Sequence, residues 1–453
     1  MNAAIEFLAA AWFVAAMALG SAKAADLRVG AAAVDLEADD SMPIAGGIHP
    51  GYVKGQEGKL RATAIVVEKA GAAPVAIVSC DVLMFQRDLA DAAVAEIEKT
   101  CAIPAANVLV HATHTHHAPS TIRIHGYGHS EVFCQRLQAG IVKAVRDAKA
   151  ALADTAFSFK LGKEPTVGMN SRLLMKDGTI HWVGSRDDAV GPTGPFDADL
   201  PVLAFRAAEP VGQRAGKLLA LAFGHSSHSI GTLKPGVRSP SFYGMAAQEL
   251  EKELGCTAAF LEGASGSTHV YNMGPKQAFD RIKKAVAETL AQAQPQEVGR
   301  LAALKRPFAF KVRHFDEAAE EKAVSEYCKK RIGNSAESVI EVFRKMRKEL
   351  APQQGQERTT WIQTVAIGDV AIVGVPAEFF TKLGLDIKRR SPFKHTVVVE
   401  LANDWIGYVG DREAYKLGGY QLWTGFHSYS EAGTGERMVD QAVRMLEEIA
   451  KGK

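Results

Sequence analysis

Two clusters of histidines follow apolar stretches of the chain. The first, H-A-T-H-T-H-H at residues 111–117, stands directly behind the run N-V-L-V. His114 and His116 are two residues apart in backbone that we expect to be extended, so both imidazoles project from one side of it. Zinc binds neutral imidazole nitrogens, and a catalytic zinc needs a third or fourth ligand from elsewhere and an open position for water. The first cluster therefore predicts part of a metal site.

The second cluster, F-G-H-S-S-H-S-I-G at residues 223–231, follows the run K-L-L-A-L-A-F. Burying several imidazoles without partners is costly, so two such clusters at strand ends favour a shared site. His225 lies closest to the strand end and is the better candidate ligand, whereas His228 either supports a ligand or has no role there. G-H-S-S-H lacks the final glycine of the G-x-S-x-G turn of serine hydrolases, as does G-A-S-G-S at 263–267. A serine-triad hydrolase is therefore disfavoured.

The elements that would position these clusters alternate between strands and helices. P-V-A-I-V-S-C-D-V-L-M-F and N-V-L-V-H-A-T predict strands, and the amphipathic stretch L-A-D-A-A-V-A-E-I-E-K-T-C between them predicts a helix. The same order recurs in K-L-L-A-L-A-F-G-H-S-S, S-F-Y-G-M-A-A-Q-E-L-E-K-E-L-G and C-T-A-A-F-L-E-G-A-S. This alternation, with polar residues at the strand ends, predicts an α/β fold. The highly charged segment 314–352 predicts a helical hairpin within it.

The composition is that of a globular protein with a small ligand. The chain has 453 residues, of which 47% are hydrophobic and 23% charged, and its net charge is +2. Near-equal numbers of acids and bases provide no basic surface, so nucleic acid is not expected as a partner. The five cysteines include no C-x-x-C pair, which argues against a thiolate zinc site.

The N-terminus has the pattern of a cleaved export signal. F-L-A-A-A-W-F-V-A-A-M-A-L is followed by Ala22-Lys23-Ala24, an A-x-A site for signal peptidase. The apolar run is shorter than the roughly 20 residues that span a bilayer, and no later segment is longer. We therefore predict a signal peptide at residues 1–24, no transmembrane segment in the mature chain, and a secreted or periplasmic protein. Residues 25–453, without an internal repeat or linker, are predicted to form a single domain.

The mature chain resembles the N-terminal catalytic domain of the neutral, non-lysosomal ceramidase family over nearly all of its length. N-V-L-V-H-A-T-H-T-H-H-A-P is similar to the family signature T-H-T-H-S-G-P. Further segments correspond in order: G-P-F-D-A-D-L-P-V-L-A-F-R, L-A-F-G-H-S-S-H-S, V-G-V-P-A-E-F-F-T-K-L-G, L-A-N-D-W-I-G-Y-V-G-D-R-E-A-Y and A-G-T-G-E-R-M-V-D-Q-A-V-R-M-L. The resemblance implies an α/β fold of layered mixed β-sheets flanked by helices. The family's C-terminal β-sandwich domain is expected to be missing.

The resemblance also implies a zinc site and two catalytic groups beside it. His116 matches the second histidine of the family's H-T-H, which lies next to the metal and handles a proton or an oxyanion. Arg172, in G-M-N-S-R, is one place from the family's arginine and is assigned to stabilising charge in the transition state. The family's zinc is held by two histidines, a glutamate and a tyrosine, which correspond position by position to His114, His225, Glu378 and Tyr408.

One block departs from the family pattern. Ceramidases carry G-D-x-S-P-N with an essential serine, whereas this chain has G-A-S-G-S-T-H-V-Y-N. Aligned on F-L-E-G-A-S, the aspartate position is Ser267, the serine position is His269 and the proline position is Val270. A serine-dependent mechanism is therefore not implied, and His269 or Ser267 is expected to assist instead.

Together these features predict an exported zinc-dependent amidohydrolase. Zinc-activated water would cleave the amide bond of an N-acyl substrate, a small molecule or a sphingolipid-like lipid, with His116 moving a proton to the leaving amine. The same zinc site would also serve an esterase or lactonase. A third alternative is a non-catalytic ligand-binding protein that has lost the family serine. The sequence does not indicate the oligomeric state.

Overall fold

The computed structural model describes residues 26–208 and 216–452. The predicted signal peptide, residues 1–24, lies outside the described residues. Within them, no helix is long and apolar enough to cross a membrane. The five cysteines are all free thiols, and four of them are buried.

The strands are short, apolar and mostly buried. In chain order they are β1 Leu27–Asp35, β2 Arg61–Lys69, β3 Val75–Cys80, β4 Val108–Ala112, β5 Ala153–Lys163, β6 Met169–Asn170, β7 Leu173–Met175, β8 Ala189–Pro192, β9 Asp199–Ala207, β10 Leu218–His225, β11 Thr257–Glu262, β12 Thr268–His269, β13 Gln294–Pro295, β14 Leu301–Lys311, β15 Glu357–Ile367, β16 Val370–Gly374, β17 Glu378–Phe379, β18 His395–Val399 and β19 Tyr408–Val409.

Helices separate many of these strands. They are α1 Arg87–Cys101, α2 Glu131–Ala150, α3 Ser241–Leu254, α4 Pro275–Ala291, α5 Glu317–Arg331, α6 Ala336–Leu350, α7 Thr381–Arg390, α8 Arg412–Leu417 and α9 Thr434–Ala450. Ser130 starts α2 by accepting a hydrogen bond from the Phe133 N–H, which satisfies one of the free N–H groups of the first turn. Helices α5 and α6 occupy the charged segment and pack against each other.

The main sheet has the strand order β11-β10-β9-β5-β1-β2-β3-β4, with β13 paired to β5. Most neighbours are antiparallel, but β3/β4 and β10/β11 are parallel. The two ends of the strand order approach each other in space, because the Ser79 hydroxyl on β3 donates to the Phe260 carbonyl on β11 at 2.7 Å. The carboxyl ends of β4, β10 and β11 therefore meet in one region.

A second sheet, β14-β15-β16-β18, packs on the main sheet. One apolar cluster joins the two sheets, with Leu109 and Leu261 on the main sheet and Val365 and Ile372 on the second. Helices α1 to α4 cover the main sheet, and α7 and α9 cover the second. The prediction of an α/β fold with layered mixed sheets flanked by helices is confirmed.

Candidate metal site

His114 has a strained backbone conformation two residues after the end of β4. Its backbone has a φ of 60°, a left-handed conformation that costs about 1–2 kcal/mol for a residue with a side chain. Such strain is characteristic of functional sites. The imidazole is fully buried, and its Nδ1–H donates to the Leu83 carbonyl at 3.1 Å. The lone pair of Nε2 is therefore left free to face the interior of the site.

His228 approaches from the segment that follows β10. Its Nδ1–H donates to the Ser265 carbonyl at 2.9 Å, so its Nε2 carries a lone pair, which faces the Tyr408 hydroxyl at 3.0 Å. The ring centroids of His114 and His228 are 4.5 Å apart. Ligand nitrogens of His114, His116 and His228 all lie within 4.8 Å of one another. The structure thus brings histidines from both sequence clusters together.

Glu378 and Tyr408 reach the histidines from a short parallel ladder, β17/β19, in which they are paired. Glu378 Oε2 lies 3.6 Å from the Nε2 of both His114 and His228. Its other oxygen accepts a hydrogen bond from the Trp405 indole N–H at 3.0 Å. The Tyr408 hydroxyl oxygen lies 3.0 Å from His228 Nε2. One carboxylate oxygen therefore points between two imidazole nitrogens.

Burial keeps the imidazoles neutral. It lowers the pKa of His114 and of His228 to about 4. Burial and the neighbouring histidines lower the pKa of His116 well below its usual range. Burial also raises the pKa of Glu378, an effect that His114 partly offsets. Neutral imidazoles and an adjacent carboxyl group are donors that hold a metal ion in proteins, and this group of residues could hold one.

His116 lies at the open side of the cluster, where it is half-buried. Its Nε2 is 3.4 Å from His114 Nε2. The other side of its ring packs on Gly46, where a Cβ atom would come within 2.3 Å of His116 Nδ1. Because Gly46 also has a φ of +103°, only glycine fits there without displacing the imidazole.

His269 stacks on the cluster from the short strand β12. Its ring centroid is 3.9 Å from that of His228, with 23° between the ring planes. Its Nδ1 lies 2.9 Å from the Ser171 hydroxyl oxygen. Ser267, the other residue expected to assist, has its hydroxyl 3.2 Å from Thr381 Oγ1 and accepts from the Thr381 N–H. His269 therefore borders the site, whereas the Ser267 hydroxyl bonds to α7.

The structure corrects the placement of His225. This histidine is the last residue of β10, where it pairs with Glu262 of β11. Its Nε2–H donates to the Glu164 carbonyl at 2.9 Å, and its Nδ1 accepts from the Tyr243 hydroxyl at 2.6 Å. Both ring nitrogens are thus used in hydrogen bonds to residues outside the histidine cluster. His228, three residues further on, takes the place beside His114 that was expected for His225.

Arg172 also lies elsewhere than expected. Its guanidinium donates to the Gln421 side chain at 2.9 Å and to the carbonyls of Ala414 and Gly418 at 3.3 and 2.6 Å. The group is fully buried and stacks over Phe380, and burial lowers its pKa to about 10. Arg172 holds the loop after α8 in place, because its donors are directed at that loop.

Sequence reasoning missed three groups that orient the site, namely the Ser265 carbonyl, the Leu83 carbonyl and the Trp405 indole. Backbone carbonyls leave no signal in a sequence. Trp405 does leave one, since it stands inside the N-D-W-I-G-Y motif, three residues before Tyr408. A cavity of about 620 Å³ lies apart from the histidines, between α5 and the loop around 417–423. None of the candidate metal ligands lines it.

Comparisons with known proteins identify the fold. No protein family model and no curated protein sequence matches the chain. Among solved structures, the neutral ceramidase from Pseudomonas aeruginosa superposes with a TM-score of 0.74 and 19% sequence identity, over 94% of this chain and 75% of that one. A ceramidase complexed with C2 superposes with a TM-score of 0.72 and 18% identity, over 94% and 76%. The resemblance read from the sequence is confirmed: the chain has the fold of the neutral ceramidases.

Proposed function

We propose that the protein is a zinc-dependent hydrolase that cleaves the amide bond of an N-acyl lipid. One observation carries this proposal above the others. Glu378 Oε2 lies 3.6 Å from both His114 Nε2 and His228 Nε2, near strand ends in the fold of the neutral ceramidases.

The residues fit a zinc ion. His114 and His228 present neutral Nε2 atoms because each Nδ1–H is held by a backbone carbonyl, an arrangement typical of zinc-bound histidines. Glu378 supplies the carboxylate, and Tyr408 completes the set of four with its hydroxyl oxygen. When bound, zinc would polarise the substrate carbonyl and lower the pKa of water to roughly 7.

His116 moves the proton in this proposal. It is neutral at neutral pH, lies at the open side of the ligands, and does not need to bind the metal itself. It accepts a proton from water as the new C–O bond forms. It then donates that proton to the nitrogen as the C–N bond breaks, so that the products are a carboxylic acid and an amine.

His269 stands where ceramidases carry their serine, and we assign it a second proton-handling role. The Ser171 hydroxyl donates to the Ser267 carbonyl at 3.1 Å, and therefore accepts from the His269 Nδ1–H. His269 Nε2 is then a proton acceptor next to His228. Arg172 has no part in the reaction, since its guanidinium faces the loop after α8.

An aromatic wall next to Tyr408 supports an acyl substrate. The rings of Trp182 and Tyr420 stack with centroids 4.2 Å apart and nearly parallel planes, and Tyr420 is 6.1 Å from Tyr408. Phe343 packs edge-on against both Trp182 and Tyr420. Apolar surface beside polar reactive groups is typical of a site that binds a lipid chain while a polar bond reacts.

A matched pair of substrates tests the proposal. The zinc-loaded protein is offered a ceramide and the ester of the same acyl chain, and the release of fatty acid is measured. His114→Ala serves as the blank. Faster cleavage of the amide relative to the blank supports an amidohydrolase. Cleavage of the ester alone would identify the protein as an esterase. No cleavage of either substrate with zinc bound would favour a non-catalytic binding protein.

We also propose that the protein is exported by cleavage after Ala24. The A-x-A site and the apolar run before it support this. Mass spectrometry of the protein recovered from the periplasm or the medium should show a mature chain that begins at Ala25. Recovery of the full-length chain from the cytoplasm would refute export.

A further inference from the structure

A buried carboxylate connects the two segments that carry His228 and Glu378. Glu400 follows β18 and is fully buried. Its Oε1 accepts a hydrogen bond from the Ser265 hydroxyl at 2.6 Å, and its Oε2 accepts from the Ser265 N–H at 3.0 Å. The same Oε2 accepts from the Phe379 N–H at 2.8 Å. One side chain thus binds backbone from two separate parts of the chain.

Each of these partners adjoins a residue that we assign to the metal. The carbonyl of Ser265 accepts the Nδ1–H of His228, and Phe379 follows Glu378 in β17. The N–H groups on either side of Phe379 donate to the chain around β19: that of Glu378 to the Gly407 carbonyl and that of Phe380 to the Val409 carbonyl. The Phe379 N–H therefore points away from that ladder, towards Glu400. Movement of the carboxylate would shift the Ser265 carbonyl and the start of β17 together.

We propose that Glu400 is a positioning residue for the metal site, which holds His228 Nε2 and Glu378 Oε2 at the separation that a metal ion requires. The inference rests on the proposed zinc site. Glu400 touches neither the metal nor the substrate, and it acts through hydrogen bonds to the two segments.

The choice of glutamate at this position favours the same conclusion. Burying a carboxyl group is costly, and an apolar side chain would avoid that cost. Here Glu262, also fully buried, lies close enough to disfavour a second charge, and burial raises the pKa of Glu400 well above its usual range. A side chain retained under these conditions needs a compensating role, and the three hydrogen bonds to the ligand segments supply it.

Two substitutions separate hydrogen bonding from charge. Glu400→Gln removes the ionisable group but keeps the bonds, because its amide oxygen accepts from both backbone N–H groups and its amide N–H donates to the Ser265 hydroxyl. Glu400→Leu removes both. Glu57 provides the matched control, since it is buried and accepts hydrogen bonds from the N–H groups of Leu233 and Lys234 and from a serine hydroxyl, in a loop without ligands.

Zinc affinity is measured by competition with a chromophoric chelator, and folding by circular dichroism and thermal melting. Loss of a group that orients a metal ligand typically weakens binding about 10- to 100-fold, so we expect that loss for Glu400→Leu and less than about threefold for Glu400→Gln. Glu57→Leu should lower the melting temperature without weakening zinc binding. If Glu400→Leu does not fold, Ser265→Ala decides, with an expected loss of about 10-fold because one bond to the carboxylate is removed.

Several results would overturn the inference. One is a folded Glu400→Leu variant with the zinc affinity of the wild type. Another is an equal loss of zinc affinity in the Glu400→Gln and Glu400→Leu variants. Where Ser265→Ala decides, unchanged zinc affinity in that variant would overturn the inference. A wild-type protein that binds no zinc would instead refute the proposed function. The two failures are therefore distinguishable.

Discussion

Replacing His228 by glutamine should remove most of the zinc affinity, whereas the same replacement at His225 should not. His228 Nε2 lies 3.6 Å from Glu378 Oε2 and carries no proton, because the ring proton is on Nδ1 and donates to the Ser265 carbonyl. The Nε2 of His225 instead carries the proton that it donates to the Glu164 carbonyl. Glutamine is close to histidine in size and polarity but is a poor zinc ligand. Only His228→Gln therefore removes a metal donor.

The expected size of the effect follows from sharing the binding energy among the ligands. A zinc site with four protein ligands is worth about 10–16 kcal/mol, so each ligand contributes about 2.5–4 kcal/mol, or about 60- to 10³-fold in affinity. His225→Gln should leave the affinity unchanged. It should lower stability by about 1–3 kcal/mol, because the buried Tyr243 hydroxyl loses its acceptor.

Chelator competition at neutral pH measures both affinities, and metal analysis after dialysis provides the stoichiometry. Thermal melting of the metal-free variants separates a folding defect from a loss of ligand. If His225→Gln lost zinc while His228→Gln kept it, the assignment of the second histidine ligand from this structure would be wrong, and the position implied by the family resemblance would be right.

Three further predictions concern the surroundings of the site. Gly46→Ala should lower turnover at least about 10-fold by displacing His116. Gly55 has a φ of +77° but no neighbour within 4 Å of an added Cβ atom, so Gly55→Ala should show only the backbone strain. Equal turnover in the two variants would contradict this prediction. Burial lowers the pKa of His111 from 6.5 to about 4, so the unfolded chain takes up a proton over this range before the folded chain does, and stability must fall as the pH drops from 6.5 to 4. In urea titrations His111→Leu should reduce that loss by up to about 3 kcal/mol, and an unchanged pH dependence would refute the assignment. Arg172→Met should lower the melting temperature but leave zinc affinity unchanged. A loss of zinc affinity would show that Arg172 belongs to the metal site after all.

Much of the fold and of the site could be predicted because the relevant signals are local. Alternating apolar stretches indicated strands, and polar residues at the strand ends indicated where chemistry would collect. His114 follows the buried strand β4 of the main sheet and Glu378 follows the buried strand β16 of the second sheet, so the place of each depends on a few neighbouring residues. The sequence indicated His269 through its alignment with the serine of the family's G-D-x-S-P-N block. In the structure His114 Nε2 lies 3.6 Å from Glu378 Oε2, and the His269 ring stacks on that of His228.

The exceptions depend on where a strand ends and on contacts far along the chain. G-H-S-S-H offers two histidines, and the choice between them depends on the last residue that pairs with β11. That residue is His225 itself. The chain turns into the site only after it, so His228 is the histidine that lies beside His114. The direction of Arg172 depends on carbonyls some 240 residues later in the chain. Neither feature has a local pattern in the sequence.

The segment 263–272, to which the sequence resemblance assigns the serine block of the ceramidases, has its serine hydroxyl groups committed to structural bonds. The Ser265 hydroxyl donates to Glu400, and the Ser267 hydroxyl bonds to Thr381. The residue in the serine position itself, His269, presents an imidazole in place of a hydroxyl. A nucleophile from this loop would therefore need to break a buried hydrogen bond first, whereas water needs only a proton acceptor. Two neutral histidines, His116 and His269, border the cluster and meet that need, which favours direct attack by water over a covalent acyl-enzyme.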